Sequence, residues 1–560
     1  EWDKAIISIG SFRVKQAKTN LDYETFVKPR KSEQILFYKD GVNTTVTVIK
    51  HTSGQLQLKV NGKVDATSRG DLPTQIMLGQ LPLLLFPDAK EILNIGLGSG
   101  ITTGSILQHP VEKVDVVEIA PAVVEAAHYF SEYNHNALKD PRVKVYIEDA
   151  KTFLKITPNQ YDIIVSEPSN PWIAGIGGLF SKEYFEDASR KLRPHGLMVQ
   201  WFHTYEMTDE IVKMVVRTFL SVFESVTVWN LGYTDIILIG SHEKVIPNFA
   251  KMEERFSSEN VAREFRRINV FDLSTLLSMH ILSEESAKEV VGAGPINEDY
   301  FPLLEYEAPK GFYIDTIATV LHTADERFQP RKGEKLLMMR YLKERSPTAA
   351  NYANITRYYE PYKNSFAQRL RHSILIRWNR EYPDDVEGAY QLAVFSMDQG
   401  DFSTAKKLLE HLIARDDTNV NFFSLYAQIL YRALERQRSY LNRPDYSAIL
   451  AALERCVELS SDMKDRYYVR MGQVYYEQGR YRDALSSFMA ALEFKRNGQP
   501  GADEVTIDRL LTEVGETYMA LSQQDKARRY FEEALKINRE NPQARYFLEK
   551  IAQEESRGQS

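Results

Sequence analysis

Across 560 residues the chain has one cysteine, Cys456, which excludes an intramolecular disulfide framework and a cysteine zinc cluster and leaves redox chemistry without a partner thiol. There is no excess of basic residues: 70 Lys and Arg stand against 77 Asp and Glu, a formal charge of -7, so the stripe of positive charge that a nucleic-acid binder needs is missing. Long apolar runs are absent as well. The richest stretch is "LPLLLF" at 81–86, far short of the roughly 18 residues that span a bilayer. The chain opens on Glu1 and Trp2, so a processed product or part of a longer protein are both open. The expectation is a cytoplasmic protein without metal, with tethering to the inner membrane through a segment upstream of residue 1 as an open variant. With 43% hydrophobic and 26% charged residues, this length should divide into several globular domains.

From Ala5 to about Asp71 apolar residues alternate, as in "TTVTVI" and "QLQLKVNGKV", and Asn61-Gly62 between two such runs predicts a hairpin turn. Residues 1–75 therefore read as a small β domain. From Glu91 the pattern changes to short apolar strands separated by helical stretches: "EILNIGLG", "KVDVVEIA", "VKVYIED", "YDIIVSEP" and "GLMVQWF". That alternation predicts a Rossmann-like α/β domain over 76–310 with a parallel sheet, whose ligands lie at the carboxyl ends of the strands. "SVTVWNLG" and "DIILIGS" read as its antiparallel finish. Residues 311–383 are helical in composition without a clear period and read as a connector.

Residues 384–556 carry an internal repeat. "YYVRMGQVYYEQGRYRDALSSFMAAL" places Gly472, Tyr475, Gly479, Tyr481, Ala484, Phe488 and Ala491 at intervals that return in Gly515, Tyr518, Ala527, Phe531 and Ala534. A third copy runs through Leu392, Gly400, Phe402 and Ala405, and "YSAILAALERCVEL" reads as half of a degenerate one. The pattern resembles the tetratricopeptide family, which implies an α-helical solenoid that binds a protein partner. Cys456 falls within it, as core.

"ILNIGLGSGITTGSIL" at 92–107 holds Gly96, Gly98 and Gly100 between a strand and a helix. A dinucleotide fingerprint would want a third glycine at 101, which is Ile101, so NAD is disfavoured. Glu118 ends the next strand, where an acid can accept from both ribose hydroxyls, and Asp149 ends the third, within reach of an adenine amino group; a helix N-cap is the alternative role for either. Glu167, Asn170 and Trp172 follow the fourth strand in "EPSNPW". His203 and Tyr205 lie on the same edge, where a structural hydrogen-bonding role is expected.

Together "LNIGLGSG", "VDVVEIAPAVVEAA", "DPRVKVYIEDAKTFL", "YDIIVSEPSNPW" and "GLFSKEYFEDASRKLRPHGLMVQW" resemble spermidine synthases and their relatives with the AdoMet-dependent methyltransferase fold. The resemblance implies that Gly96, Gly98, Ser99 and Gly100 cradle AdoMet or decarboxylated AdoMet, with Glu118 on ribose and Asp149 on adenine. It also implies a small amine acceptor in polyamine metabolism. The family's Asp-x-x-Asp-Pro box is altered here to Glu167 and Asn170, and its glycine-loop aspartate to Ser99. Its Tyr-His-Glu segment is replaced by "LPTQIMLGQ". An alkyl amine with pKa near 10 is neutral in about one molecule per thousand at pH 7, a cost of about 4 kcal/mol to nucleophilic attack. Glu167 could accept that proton, Asn170 could orient the amine, and Trp172 and Tyr205 could line the acceptor site. The expected function is transfer of an aminopropyl or methyl group from a sulfonium to an amine. The alternative is a catalytically inactive scaffold whose repeats organise a protein assembly.

Overall fold

The computed structural model describes residues 33–558 apart from 43, 233, 438–443 and 500, together with Lys4 and Ser8. Most of the first 32 residues of the expected β domain, and the long loop before the degenerate repeat, lie outside the described residues. The chain divides into two compact units, Glu1–Ile374 and Leu375–Ser560. Each is described by itself.

The first unit begins with a four-stranded antiparallel meander, β1 (Gln34–Asp40), β2 (Thr45–Lys50), β3 (Leu56–Val60) and β4 (Lys63–Thr67), paired in that order. Val46, Val48 and Leu58 are buried on one face, and Thr47 and Ile49 are buried on the other, so β2 is covered on both. Asn61 (φ 51°) and Gly62 (φ 78°) make the two-residue turn between β3 and β4, both in the left-handed region that this kind of hairpin requires.

The second sheet has eight strands: β5 (Glu91–Ile95), β6 (Lys113–Glu118), β7 (Val143–Ile147), β8 (Tyr161–Ser166), β9 (Leu192–His203), β10 (Ser225–Asn230), β11 (Asp235–Ser241) and β12 (His280–Leu282). Their order is β12-β10-β11-β9-β8-β5-β6-β7. β5 pairs in parallel with both β6 and β8, so the order reverses at β5 and opens a crevice beyond its carboxyl end. β9 to β12 close the sheet with antiparallel pairs. The run "YDIIVS" of β8 is buried throughout, the pattern of a strand covered on both faces. The helix Leu72–Leu85 is almost wholly buried and lies beside the helix Ile101–Ile106 that follows the glycine loop. Residues 311–374, expected as a connector, lie in the first unit. Leu337 N donates to His280 Nδ1 at 3.2 Å and Asn354 Nδ2 to Asp272 at 2.8 Å, which fixes this segment to the β12 end.

The second unit stacks antiparallel helix pairs, among them Val386–Asp398 with Phe402–Arg415, Lys464–Glu477 with Tyr481–Arg496, and Ile507–Ala520 with Gln524–Ile537. Small residues set the spacing. A Cβ on Gly472 would lie 2.6 Å from the Phe488 ring and one on Gly515 2.5 Å from the Phe531 ring. Ala484, Ala491, Ala527 and Ala534 are fully buried around those rings. Cys456 is core, with its thiol pushed up to about 12 by burial. Among the described residues no helix is long and apolar enough to cross a membrane, and no group of His, Cys, Asp and Glu is placed to hold a metal ion.

Candidate functional site

The crevice at the carboxyl end of β5 has two walls. The first is built from backbone. After Ile95 the chain turns through Gly96 at φ 87°, and a Cβ there would lie 2.4 Å from the Glu167 carbonyl oxygen, so both the dihedral and the contact require glycine. Gly96 N donates to Val117 O at 2.9 Å. Glu118 holds the loop from β6: its Oε2 accepts from Leu97 N at 3.1 Å and its Oε1 from Ala120 N at 2.9 Å. Burial pushes this carboxyl above its ordinary value, and the backbone N–H groups oppose the shift. Asn134 Nδ2 anchors the Ser99 carbonyl at 2.9 Å. Ser99 itself is 1% exposed, and its hydroxyl donates to Gln75 Oε1 on the helix Leu72–Leu85.

The second wall is built from side chains. Glu167 N continues the β8 ladder by donating to Ile95 O at 2.9 Å, which brings the carboxylate over the first helix turn after the glycine loop. There Thr102 Oγ1 donates to Glu167 Oε2 at 2.6 Å. Burial pushes the Glu167 carboxyl up to about 7; the Thr102 bond opposes this, and the charges of Asp71 and Asp235 add to it. Asp235, at the start of β11, is itself pushed up to about 6 by burial and by Asp71, although Trp201 Nε1 donates to its Oδ1 at 3.0 Å. Three carboxyl groups from separate parts of the chain thus share one region and resist simultaneous ionisation. That is the environment an incoming ammonium would relieve.

Asn170 is buried, and its amide donates to His203 Nε2 at 2.6 Å and to the Tyr205 hydroxyl at 2.9 Å. His203 Nδ1 lies 2.8 Å from the Tyr205 carbonyl, so Nδ1 carries the proton and Nε2 accepts. The His203 and Tyr205 rings stack at 3.9 Å. Trp172 packs against Phe312, ring centres 4.5 Å apart, as part of the core that covers the sheet. Asp149 caps the helix Ala150–Ile156, its Oδ1 accepting from Thr152 N at 2.8 Å.

The structure therefore gathers Gly96, Gly98, Ser99, Gly100, Glu118 and Glu167 at one switch point, and links Asn170 to Tyr205 through direct hydrogen bonds. Sequence reasoning missed Asp71, Gln75, Thr102 and Asp235. Gln75 lies in the segment "LPTQIMLGQ" that departs from the family pattern, and Thr102 is the second helical residue after the glycine loop; both lie beside motifs already legible in the sequence. Asp71 and Asp235 reach the site only through tertiary pairing.

A sheet that reverses at β5, with a glycine loop and a strand-end acid at the reversal, defines an α/β domain of the methyltransferase type, in which the crevice at the reversal is the place for a ligand. The family model "Spermine/spermidine synthase domain" matches residues 72–232, and a tetratricopeptide-repeat model matches 464–540. The two matches lie in that order along the chain, one in each compact unit. Putrescine N-methyltransferase 2 of Nicotiana tabacum is 30% identical over 196 residues, 35% of this chain and 55% of that one. Spermidine synthase 2 of Datura stramonium is 34% identical over 189 residues, 32% of this chain and 59% of that one. The chain spans a little over half the length of these curated relatives. Among solved structures, the spermidine synthase from Thermotoga maritima is 20% identical, with a TM-score of 0.36 over 43% of this chain and 84% of that one.

Proposed function

We propose that the first unit transfers a small alkyl group, aminopropyl or methyl, from an AdoMet-type sulfonium to an amine, with Glu167 as the proton acceptor. The observation that carries this reading is a carboxyl group held near pKa 7 at the mouth of a glycine loop, in a wall that carries two further acids. A base matched to the working pH accepts a proton most effectively, and an ammonium entering this wall relieves its repulsion. The glycine loop and Glu118 are assigned to the adenosine end of the donor: both Glu118 oxygens keep lone pairs beyond the ones Leu97 N and Ala120 N use. Asp149 is assigned to the adenine edge through the oxygen its N-cap bond does not employ.

Such a donor supplies a carbon activated by a positively charged sulfur, which departs as a thioether when nitrogen forms the new bond. The chain's own residues do the rest. Thr102 fixes Glu167 Oε2, leaving Oε1 to take the amine proton; Asn170, fixed by His203 and Tyr205, stiffens the loop that carries it. Positioning and exclusion of water supply most of the rate.

The resemblance to a putrescine methyltransferase and to a spermidine synthase supports a diamine acceptor. The repeats are assigned to a protein partner, supported by a cavity of about 420 Å³ in the second unit lined by Tyr431, Arg466, Tyr467, Arg470 and Glu513 among others.

The test is mass spectrometry of putrescine and longer polyamines incubated with the full chain and either donor. A product formed by the native protein and lost in Glu167→Gln supports transfer. A chain that binds methylthioadenosine yet modifies no amine supports the scaffold reading instead.

A further inference from the structure

Strand β4 of the small sheet runs along the mouth of the crevice and touches both walls. A Cβ on Gly98 would lie 3.9 Å from the Ala66 Cβ, so β4 borders the glycine loop. The register between β3 and β4 shifts at Asp65, and two further residues of β4 reach the loop that carries Glu167. Asp65 Oδ1 accepts from Ser169 Oγ at 2.6 Å, and Lys63 Nζ donates to Ser169 Oγ at 2.9 Å while pairing with Asp65. Ser169 stands between Glu167 and Asn170. The Lys63 side chain is 4% exposed, and its ammonium lies 5.9 Å from the Trp172 ring. The Asp65 charge is felt by Glu118 on one side and by Asp71 on the other, which places the pair between the two walls.

A buried ion pair is a weak device for stability, because desolvation of both charges offsets their attraction. It is a strong device for recognition. A donor tail bearing only an ammonium needs one carboxylate; a tail bearing both an α-ammonium and a carboxylate is a zwitterion, matched by a neighbouring cation and anion. Ser99 brings no charge to the glycine loop, and its hydroxyl is committed to Gln75.

We propose that Lys63 and Asp65 select the donor, Lys63 Nζ pairing with its carboxylate and Asp65 with its α-ammonium, so that the site takes AdoMet in preference to the decarboxylated form. This rests on the reading of the crevice as a sulfonium-donor site. The small sheet is then part of the binding site, and the transferred group is methyl: the N–C bond forms as the S–CH3 bond breaks, the electron pair stays on sulfur, and the amine proton passes to Glu167.

The experiment is calorimetric titration of the full chain with AdoMet, decarboxylated AdoMet and methylthioadenosine, which has no amino-acid tail. The native protein is expected to bind AdoMet at least tenfold more tightly than the decarboxylated form. Lys63→Met should reduce that ratio tenfold or more while methylthioadenosine affinity stays within twofold, and Lys63→Arg should restore it. Asp65→Asn gives an independent reading: affinity for the decarboxylated donor should fall tenfold or more, again without change for methylthioadenosine. A ratio unchanged by Lys63→Met, or equal weakening of all three ligands, overturns donor selection while leaving the crevice assignment intact. A native chain that binds no methylthioadenosine overturns the crevice assignment itself, and donor selection with it.

Discussion

The two walls of the crevice are made differently. The glycine-loop wall is backbone held within one short stretch of sequence: residues 94–120 supply the strand, the turn and the acid, and the Glu118 carboxylate holds Leu97 N and Ala120 N at 3.1 and 2.9 Å. The opposite wall is side chains brought from far apart in sequence, with Thr102 on Glu167, Trp201 on Asp235, and His203 and Tyr205 on Asn170. The first wall has a shape and little freedom. The second has a charge state, set by three acids whose burial keeps them from ionising together. Damage to the first should therefore appear as lost affinity, and damage to the second as changed rate and pH dependence.

Glu167→Gln is the largest expected effect. Turnover should fall by about 10²- to 10⁴-fold, the usual contribution of a positioned base, with donor affinity unchanged. In the native chain the rate should rise with pH through about 7 as Glu167 loses its proton, and this limb should vanish in the variant. Stability follows the opposite sign. A folded-state value raised from 4.5 to about 7 favours the protonated folded form, so the contribution is fully present below about pH 4.5 and is lost as pH rises through 7. Thermal melts should show Glu167→Gln equal to the native chain at pH 4 and more stable at pH 8.

Gly96→Ala tests the other wall. A Cβ 2.4 Å from the Glu167 carbonyl oxygen, at φ 87°, should cost about 3 kcal/mol in denaturant titration and reduce methylthioadenosine affinity. Ser99→Asp adds charge to the backbone wall. It should move the balance between donors toward the decarboxylated one by about 1 to 3 kcal/mol in competition binding, the range of a charge-assisted hydrogen bond. Thr102→Val is the mildest change: without its hydroxyl the Glu167 carboxylate loses the bond that favours ionisation, and the rising limb of the pH–rate profile should move upward by about one unit.

The same contrast explains what the sequence disclosed. Period-two alternation, Asn61-Gly62, and buried runs such as "YDIIVS" are local signals, and they become the meander, its turn and the central strands. Repeated Gly, Ala and Phe positions in 472–534 are local too, because Gly472 and Gly515 each face an aromatic ring in the partner helix. The strand-end acids were visible from strand rhythm alone, although one of them, Asp149, also serves as an N-cap. Asp71 and Asp235 carry no such signal. One precedes a helix and the other opens an antiparallel strand, and only the pairing of β11 with β9 brings Asp235 beside Trp201 and the loop after β8. Lys63 and Asp65 read as ordinary polar positions of a hairpin strand until Ser169 is found between them. The helices of 311–374 lacked a period because their contacts go to several elements at the β12 end rather than to one face.

The claim on which the account depends is that the glycine loop and Glu118 hold the adenosine end of a sulfonium donor. Titration of the full chain with methylthioadenosine, native against Glu118→Gln, tests it most directly. Saturable binding at one site per chain is expected, weakened tenfold or more in the variant, which keeps the bond to Leu97 N through its amide oxygen but loses the second acceptor. No binding by the native chain, or equal affinity in both proteins, would contradict it.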